Sequence, residues 1–256
     1  MYGNIGSVAS QQCSSYIKVW CTICVQGYNV SMVTDDLKNK ALQVRNTLLA
    51  NYGHPVWRNP LPPLEELVST ILSQNTNDVN RDRAFDNLIK SFPDWESVRD
   101  APKDKVIEVI RTAGLANQKG PRIQQILSQI TQECGDLSID FLRDMSAEDA
   151  RDWLLRFKGV GPKTAAIVLL FSLDLHALPV DTHVYRVSGR LGLLLEQMKV
   201  EAAHAHLEHV FLEQHYYDVH LNVIRLGREV CHARKPECLI CPIRQHCSYW
   251  KDDKKL

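Results

Sequence analysis

Two glycines set one residue apart, followed at once by a proline and a lysine, constrain this chain more than any other stretch. They fall in Phe157-Lys158-Gly159-Val160-Gly161-Pro162-Lys163-Thr164-Ala165-Ala166. Glycine permits positive φ and leaves its amide uncovered, while Pro162 suits the first position of a helix, where no N–H partner is needed. The turn therefore presents main-chain donors of Gly159, Val160, Gly161 and Thr164, with a positive dipole end, to an anion. Lys163 falls in the first helical turn, where the same dipole disfavours an ammonium and favours a nucleophilic amine. Trp153, Leu154 and Phe157 before the glycines and Ala165, Ala166, Val168 and Leu169 after them recur at helical spacing. A solvated glycine loop needs no such flanking stripes, so the stretch reads as helix, hairpin, helix.

The rest of the chain is patterned the same way, and the expected fold class is all-α. A helix is expected from Asp35, with Leu37, Ala41, Val44, Leu48 and Leu49 on its apolar face and Asn51-Tyr52-Gly53 ending it. Past the proline-rich connector Pro55 to Pro63 come helices carrying Leu64, Leu67, Val68, Ile71 and Leu72, and then Val79, Phe85, Leu88 and Ile89, the latter capped by Asn77 or Asp78. Pro102 to Gly114, about Gln118 to Cys134, Asp140 to Met145 and Ser146 to Phe157 follow, with Ser146 and Asp149 spaced as a cap. Helices near Tyr185 to Leu194, Val200 to Leu212 and Val219 to Val230 complete the series. Residues 1–31 lack steady periodicity and are expected to be a poorly ordered extension, which leaves Met32 as an alternative start. No apolar run approaches the ~20 residues that a membrane span requires, and no signal or transit pattern is present, so a soluble protein is expected.

Four cysteines are clustered as Cys231-x6-Cys238-x2-Cys241-x5-Cys247, apart from the scattered Cys13, Cys21, Cys24 and Cys134. One dense tetrad suggests soft ligands in a reducing compartment, and both zinc and an iron–sulfur cluster accept four thiolates. Zinc modules commonly use two Cys-x-x-Cys knuckles, whereas here there is one. Arg234, Lys235 and Arg244 lie within this loop and suit phosphate contacts. They supply a local basic patch in a chain of zero formal net charge.

Gly-Val-Gly-Pro-Lys-Thr-Ala, followed by Pro179-Val180-Asp181-Thr182-His183, resembles the helix-hairpin-helix and Gly/Pro-Asp loop of the endonuclease III family of DNA glycosylases. The cysteine spacing is similar to that family's cluster-binding loop. From about residue 35 onward the resemblance implies a six-helix barrel of residues 59–179 and a second lobe of residues 32–58 with 180–256, with a DNA-binding cleft between them. It implies a structural [4Fe-4S] cluster on Cys231, Cys238, Cys241 and Cys247, Lys163 as nucleophile and Asp181 as its partner. Ser73-Gln74-Asn75-Thr76-Asn77-Asp78 resembles the turn from which the family fills the gap left by a displaced base, although the glutamine here is shifted from the aligned Asn75 to Gln74. Leu115-Ala116-Asn117-Gln118-Lys119 resembles the family's second gap-filling loop, with Leu115 as wedge and Asn117 and Lys119 as DNA contacts.

The implied activity is a bifunctional DNA glycosylase and abasic-site lyase acting on oxidised pyrimidines in double-stranded DNA, as a monomer in a prokaryotic cytoplasm. A mismatch- or uracil-type glycosylase on the same fold, and a non-catalytic DNA-binding protein, are the alternatives. Lys163 is the residue that separates them.

Overall fold

The computed structural model describes residues 33–56 and 60–253. The extension expected over residues 1–31, with Cys13, Cys21, Cys24 and the alternative start at Met32, lies outside them. The described residues divide into two compact units, one of residues 60–175 and one of residues 33–56 and 176–253. Among the described residues there is no strand, and no helix is long and apolar enough to cross a membrane.

The chain opens with α1 (Asp35–Tyr52), which belongs to the second unit. The first unit contains α2 (Pro63–Ser73), α3 (Asp78–Ser91), α4 (Trp95–Asp100), α5 (Lys103–Val109), α6 (Ala116–Cys134), α7 (Ala147–Leu155) and α8 (Pro162–Ser172). Its central element is α2, which is buried nearly all round through Leu64, Leu67, Val68, Ile71 and Leu72 and packs on α3, α6 and α8. Truncating Leu67 or Leu72 to alanine removes side chains with no exposure, a change that costs about 2–5 kcal/mol.

Local chemistry sets most helix ends. Asn77 begins α3 by accepting the Asn80 N–H at 2.9 Å. Ser146 begins α7 by accepting the Asp149 N–H at 3.0 Å while donating to its carboxylate at 2.7 Å, a reciprocal form of capping. The apolar face expected on α3 needs correction. Ala84 and Leu88 are buried and Phe85 half-buried, but Val79 and Ile89 are 67% and 47% exposed. Val79 precedes Leu88 by nine residues, which at 100° per residue is half a turn out of phase. The short helix α4 went unanticipated because one and a half turns are too brief to show a stripe, although Asp94 caps it by accepting the Ser97 N–H at 2.7 Å.

The second unit joins α1 to α9 (Thr182–Leu191), α10 (Val200–Val210), α11 (Tyr216–Glu229) and α12 (Ser248–Asp253). Thr34 caps α1 and Gly53 ends it. α11 packs against both α9 and α1. The α9 contact is close: a Cβ at Gly227 would lie 2.8 Å from the His183 ring, so only glycine fits there. Arg45 on α1 and Asp218 on α11 meet at 2.6 Å and are both largely buried.

Candidate functional site

The hairpin between α7 and α8 is held from both sides. Behind it, Trp153 stacks edge-on against Phe157 and Phe141, at centroid distances of 4.8 and 5.2 Å. Gly159 takes φ +87, a conformation that demands glycine, and a Cβ there would sit 2.4 Å from the Arg122 side chain and displace it. Its carbonyl accepts from Gln74 Nε2 at 2.9 Å, and Gln74 Oε1 accepts from Arg122 at 3.1 Å. Arg122, Gln74 and Gly159 therefore form one chain, in which Gln74 uses both ends of its amide. Arg122 was not singled out in the sequence; three positions after Lys119 on one helix face, it carried only that spacing as a signal.

The two glycines are not equivalent, contrary to the expectation that both serve positive φ. Gly161 is extended (φ −101) and a Cβ on it would meet nothing within 4 Å. The first helical bond of α8 runs from the Ala165 N–H to the Gly161 carbonyl at 3.0 Å, and no side chain caps this end. The amides of Gly161, Lys163 and Thr164 thus have no acceptor within the helix. Val160 is different: its side chain is buried and its N–H donates to the Phe157 carbonyl at 3.0 Å, so it anchors the turn and is no bare donor. Thr164 is also buried, which confines its offer to the main chain. Lys163 is half-buried in the first turn of α8.

Asn75 and Leu115 stand at two exposed tips, each in the left-handed conformation with φ 53 and 51. Leu115 is 48% exposed and Asn117 is exposed as well. Lys119 requires a correction. It is only 1% exposed, and its ammonium donates to the carbonyls of Leu72 at 2.7 Å and Ala113 at 2.8 Å, so it faces the interior and not a phosphate. Burial, reinforced by the Arg122 charge, pushes its pKa down to about 8. Gln74, engaged at both ends, is likewise not a loose tip.

Asp181 belongs to the second unit, where it is the N-cap of α9: Oδ1 accepts the N–H groups of His183 at 2.8 Å and Val184 at 2.7 Å. The buried segment Leu178-Pro179-Val180 leads into it. Glu208 accepts the Leu178 N–H at 2.9 Å, His204 Nδ1 lies 3.3 Å from the Leu178 carbonyl, and His220 Nδ1 lies 2.9 Å from that of Pro179. Because a carbonyl only accepts, each imidazole carries its hydrogen on Nδ1. These three side chains sit 26 to 41 residues from the carbonyls or amide they hold, and no local pattern announced them.

The four clustered cysteines line one pocket with Arg190, Val230, Pro236, Arg244, Tyr249 and Trp250, and none is in a disulfide. Burial, then the neighbouring thiols, pushes the Cys241 pKa up to about 11, and Cys247 is raised from the same causes. Four such sulfurs need cationic metal to become thiolates together, so the donor set fits an iron–sulfur group. Arg190 on α9 donates to Cys231 Sγ at 3.2 Å and to the His232 carbonyl at 2.7 Å. Arg186, one turn earlier, donates to the carbonyls of Cys231 at 3.1 Å and Gly227 at 2.9 Å. The helix that Asp181 starts is thereby fastened to the cysteine loop. Two arginines four apart on one face were visible in the sequence, but their partners were not. Arg234 and Lys235 are exposed at the loop tip, and Arg244 is exposed with one nitrogen donating to the Leu239 carbonyl.

Residues 68–211 match the HhH-GPD superfamily of base excision DNA repair proteins, and residues 231–247 match the iron-sulfur binding domain of endonuclease III. The chain belongs to the HhH-GPD superfamily, among its endonuclease III-like DNA glycosylases, and its cofactor is a [4Fe-4S] cluster. Endonuclease III of Sulfolobus acidocaldarius is 32% identical over 191 residues, covering 74% of this chain and 83% of that protein. A protein of Arabidopsis thaliana named as a DNA glycosylase is 35% identical over 172 residues, or 67% of this chain, which spans 59% of the plant protein's length. A solved endonuclease III-DNA complex, a trapped covalent intermediate, superimposes with a TM-score of 0.72 at 26% identity, over 85% of this chain and 98% of the other.

Proposed function

We propose that this chain is a bifunctional DNA glycosylase and abasic-site lyase that removes oxidised pyrimidines from double-stranded DNA, acting as a monomer. The observation that carries the proposal is Lys163, placed half-buried in the first turn of a helix whose N-terminus no side chain closes. An amine there stands beside main-chain donors suited to a phosphate. The solved relative in which a covalent protein–DNA intermediate was trapped supports a nucleophilic route.

The target carbon, C1′ of deoxyribose, is shielded in a stacked duplex, so the nucleotide is first displaced. Asn75 and Leu115 are the exposed residues suited to occupy the space it leaves. The free amine of Lys163 then attacks C1′, the glycosidic bond breaks, and the base departs with the bonding electrons. Asp181 stabilises the cationic sugar and accepts a proton from the lysine nitrogen as the ring opens to an imine. The imine acidifies the C2′ hydrogen; its loss expels the 3′ phosphate by β-elimination. Cys231, Cys238, Cys241 and Cys247 hold the cluster, which supplies cross-linking of the loop that carries Arg234 and Lys235 toward the DNA backbone.

Borohydride reduction of the protein with a duplex containing an abasic site tests the proposal. A covalent adduct is expected with the wild type and none with Lys163→Gln, which keeps damaged-duplex binding. An adduct that survives in Lys163→Gln would assign the nucleophile to another amine, and no adduct with the wild type would leave a glycosylase that activates water.

A further inference from the structure

Lys119 is an expensive residue to bury. Its ammonium faces two carbonyls and no carboxylate, and a charge removed from water without a counter-charge is costly even when hydrogen-bonded. Methionine would fill the same space without that cost. The acceptors are informative. The Leu72 carbonyl lies in the last turn of α2, three residues before Asn75, and the Ala113 carbonyl lies two residues before Leu115. Asn75 and Leu115 are exposed residues in the left-handed conformation, each just beyond a residue tied to the same nitrogen.

One nitrogen holding both carbonyls keeps them within about two hydrogen-bond lengths of each other, across 41 residues of chain from Leu72 to Ala113 that no cap or turn could span. A side chain with three donors on one atom can make such a bridge; a methyl cannot. Its neighbour Arg122 extends the arrangement, because that guanidinium holds Gln74, the residue before Asn75.

We propose that Lys119 is a positioning residue that sets the separation of the Asn75 and Leu115 tips, so that both enter the duplex together when a nucleotide is displaced. The inference rests on the functional reading above, in which these tips fill the gap. Lys119 touches neither DNA nor the reacting atoms. Its contribution is confined to the step in which a stacked, paired base has to be replaced, and it contributes little where no partner has to be displaced.

The test is single-turnover release of thymine glycol by the full chain, from a duplex pairing the lesion with adenine and from one placing it opposite an abasic gap. Lys119→Met should slow release from the paired duplex by about tenfold to a hundredfold, the loss a misplaced group produces, and by less than about twofold opposite the gap. In an Asn75→Ala, Leu115→Ala background the same substitution should add no further loss on the paired duplex, because the tips through which it acts are gone. Equal slowing on both duplexes, or full additivity with the tip substitutions, overturns the inference and returns Lys119 to a purely structural role. If Lys119→Met does not fold, Lys119→Gln, which keeps a donor for one of the carbonyls, is subject to the same two criteria. A wild-type protein that releases the base from neither duplex refutes the functional reading, and the inference falls with it.

Discussion

Two helices of this protein each have a valine immediately before the N-cap, Val160 at α8 and Val180 at α9, yet their N-termini are finished in opposite ways. At α8 the N-cap is Gly161, extended, with open space where a Cβ would be and no side chain on the free amides. At α9 the N-cap is Asp181, whose Oδ1 accepts two of that helix's own first amides, those of His183 and Val184. An uncapped end keeps its donors for a visiting anion, whereas a capped end spends a carboxylate oxygen on fixing where that carboxylate stands. The difference separates amides left open from a carboxylate whose position is set by the helix it starts.

The largest expected effect strikes the capped end. Asp181→Asn retains an oxygen for the two amides but loses the negative charge, so folding should be unchanged while base release falls by ~10²- to 10⁴-fold. Cleavage at a preformed abasic site should fall less, since its aldehyde needs no base expelled. Single-turnover measurement of both steps decides it: equal losses would mean that Asp181 works mainly by holding α9.

The glycines of the uncapped end give the next effect. Gly159→Ala puts a Cβ against Arg122 at positive φ and should destabilise the protein by roughly 1–3 kcal/mol in denaturant unfolding. Gly161→Ala meets nothing and should unfold like the wild type, yet weaken duplex binding by crowding the approach of a phosphate. Wild-type affinity in Gly161→Ala would show that the open end of α8 does not face DNA.

A smaller change isolates the cap. Asp181→Ala should unfold about 1 kcal/mol more easily than Asp181→Asn, the usual worth of a capping oxygen. Equal stability of the two would mean that water replaces the cap.

The last effect is one of pH. Lys119 holds its proton less tightly when folded, at about 8 against 10.5 for a free lysine. Between those values the unfolded chain binds more protons, so stability contributed by this residue rises with pH across that window and is lost as pH falls through 8. Wild type minus Lys119→Met, followed by unfolding between pH 7 and 10.5, should show that slope; a flat difference would mean the amine stays charged throughout.

What could be read from the sequence was set by neighbours along the chain. Ser146 caps through a residue three positions on, Trp153 and Phe157 share a face by helical period, and the spacing of Cys231, Cys238, Cys241 and Cys247 is a ligand pattern in itself. The hairpin and the family followed from such short-range signals, as did Lys163 and Asp181 as candidates. The direction a side chain takes was not legible in the same way. Lys119 was expected to contact DNA because Leu115 to Lys119 resembles the family's second gap-filling loop; its acceptors lie 47 and 6 residues away, and only packing of α6 against the end of α2 turned it inward. Gln74 and Asn75 are adjacent and chemically alike, but Gln74 is recruited by Gly159, 85 residues distant, and Asn75 is left at the surface. Arg186 and Arg190 could be placed on one face of α9, but not aimed at Cys231 and Ala233, more than 40 residues on. Helical period, caps and ligand spacing are local quantities that a sequence states outright. A hydrogen bond between distant residues exists only once the intervening chain has packed, so tertiary structure alone decided which of these polar side chains stay exposed and which hold the fold together.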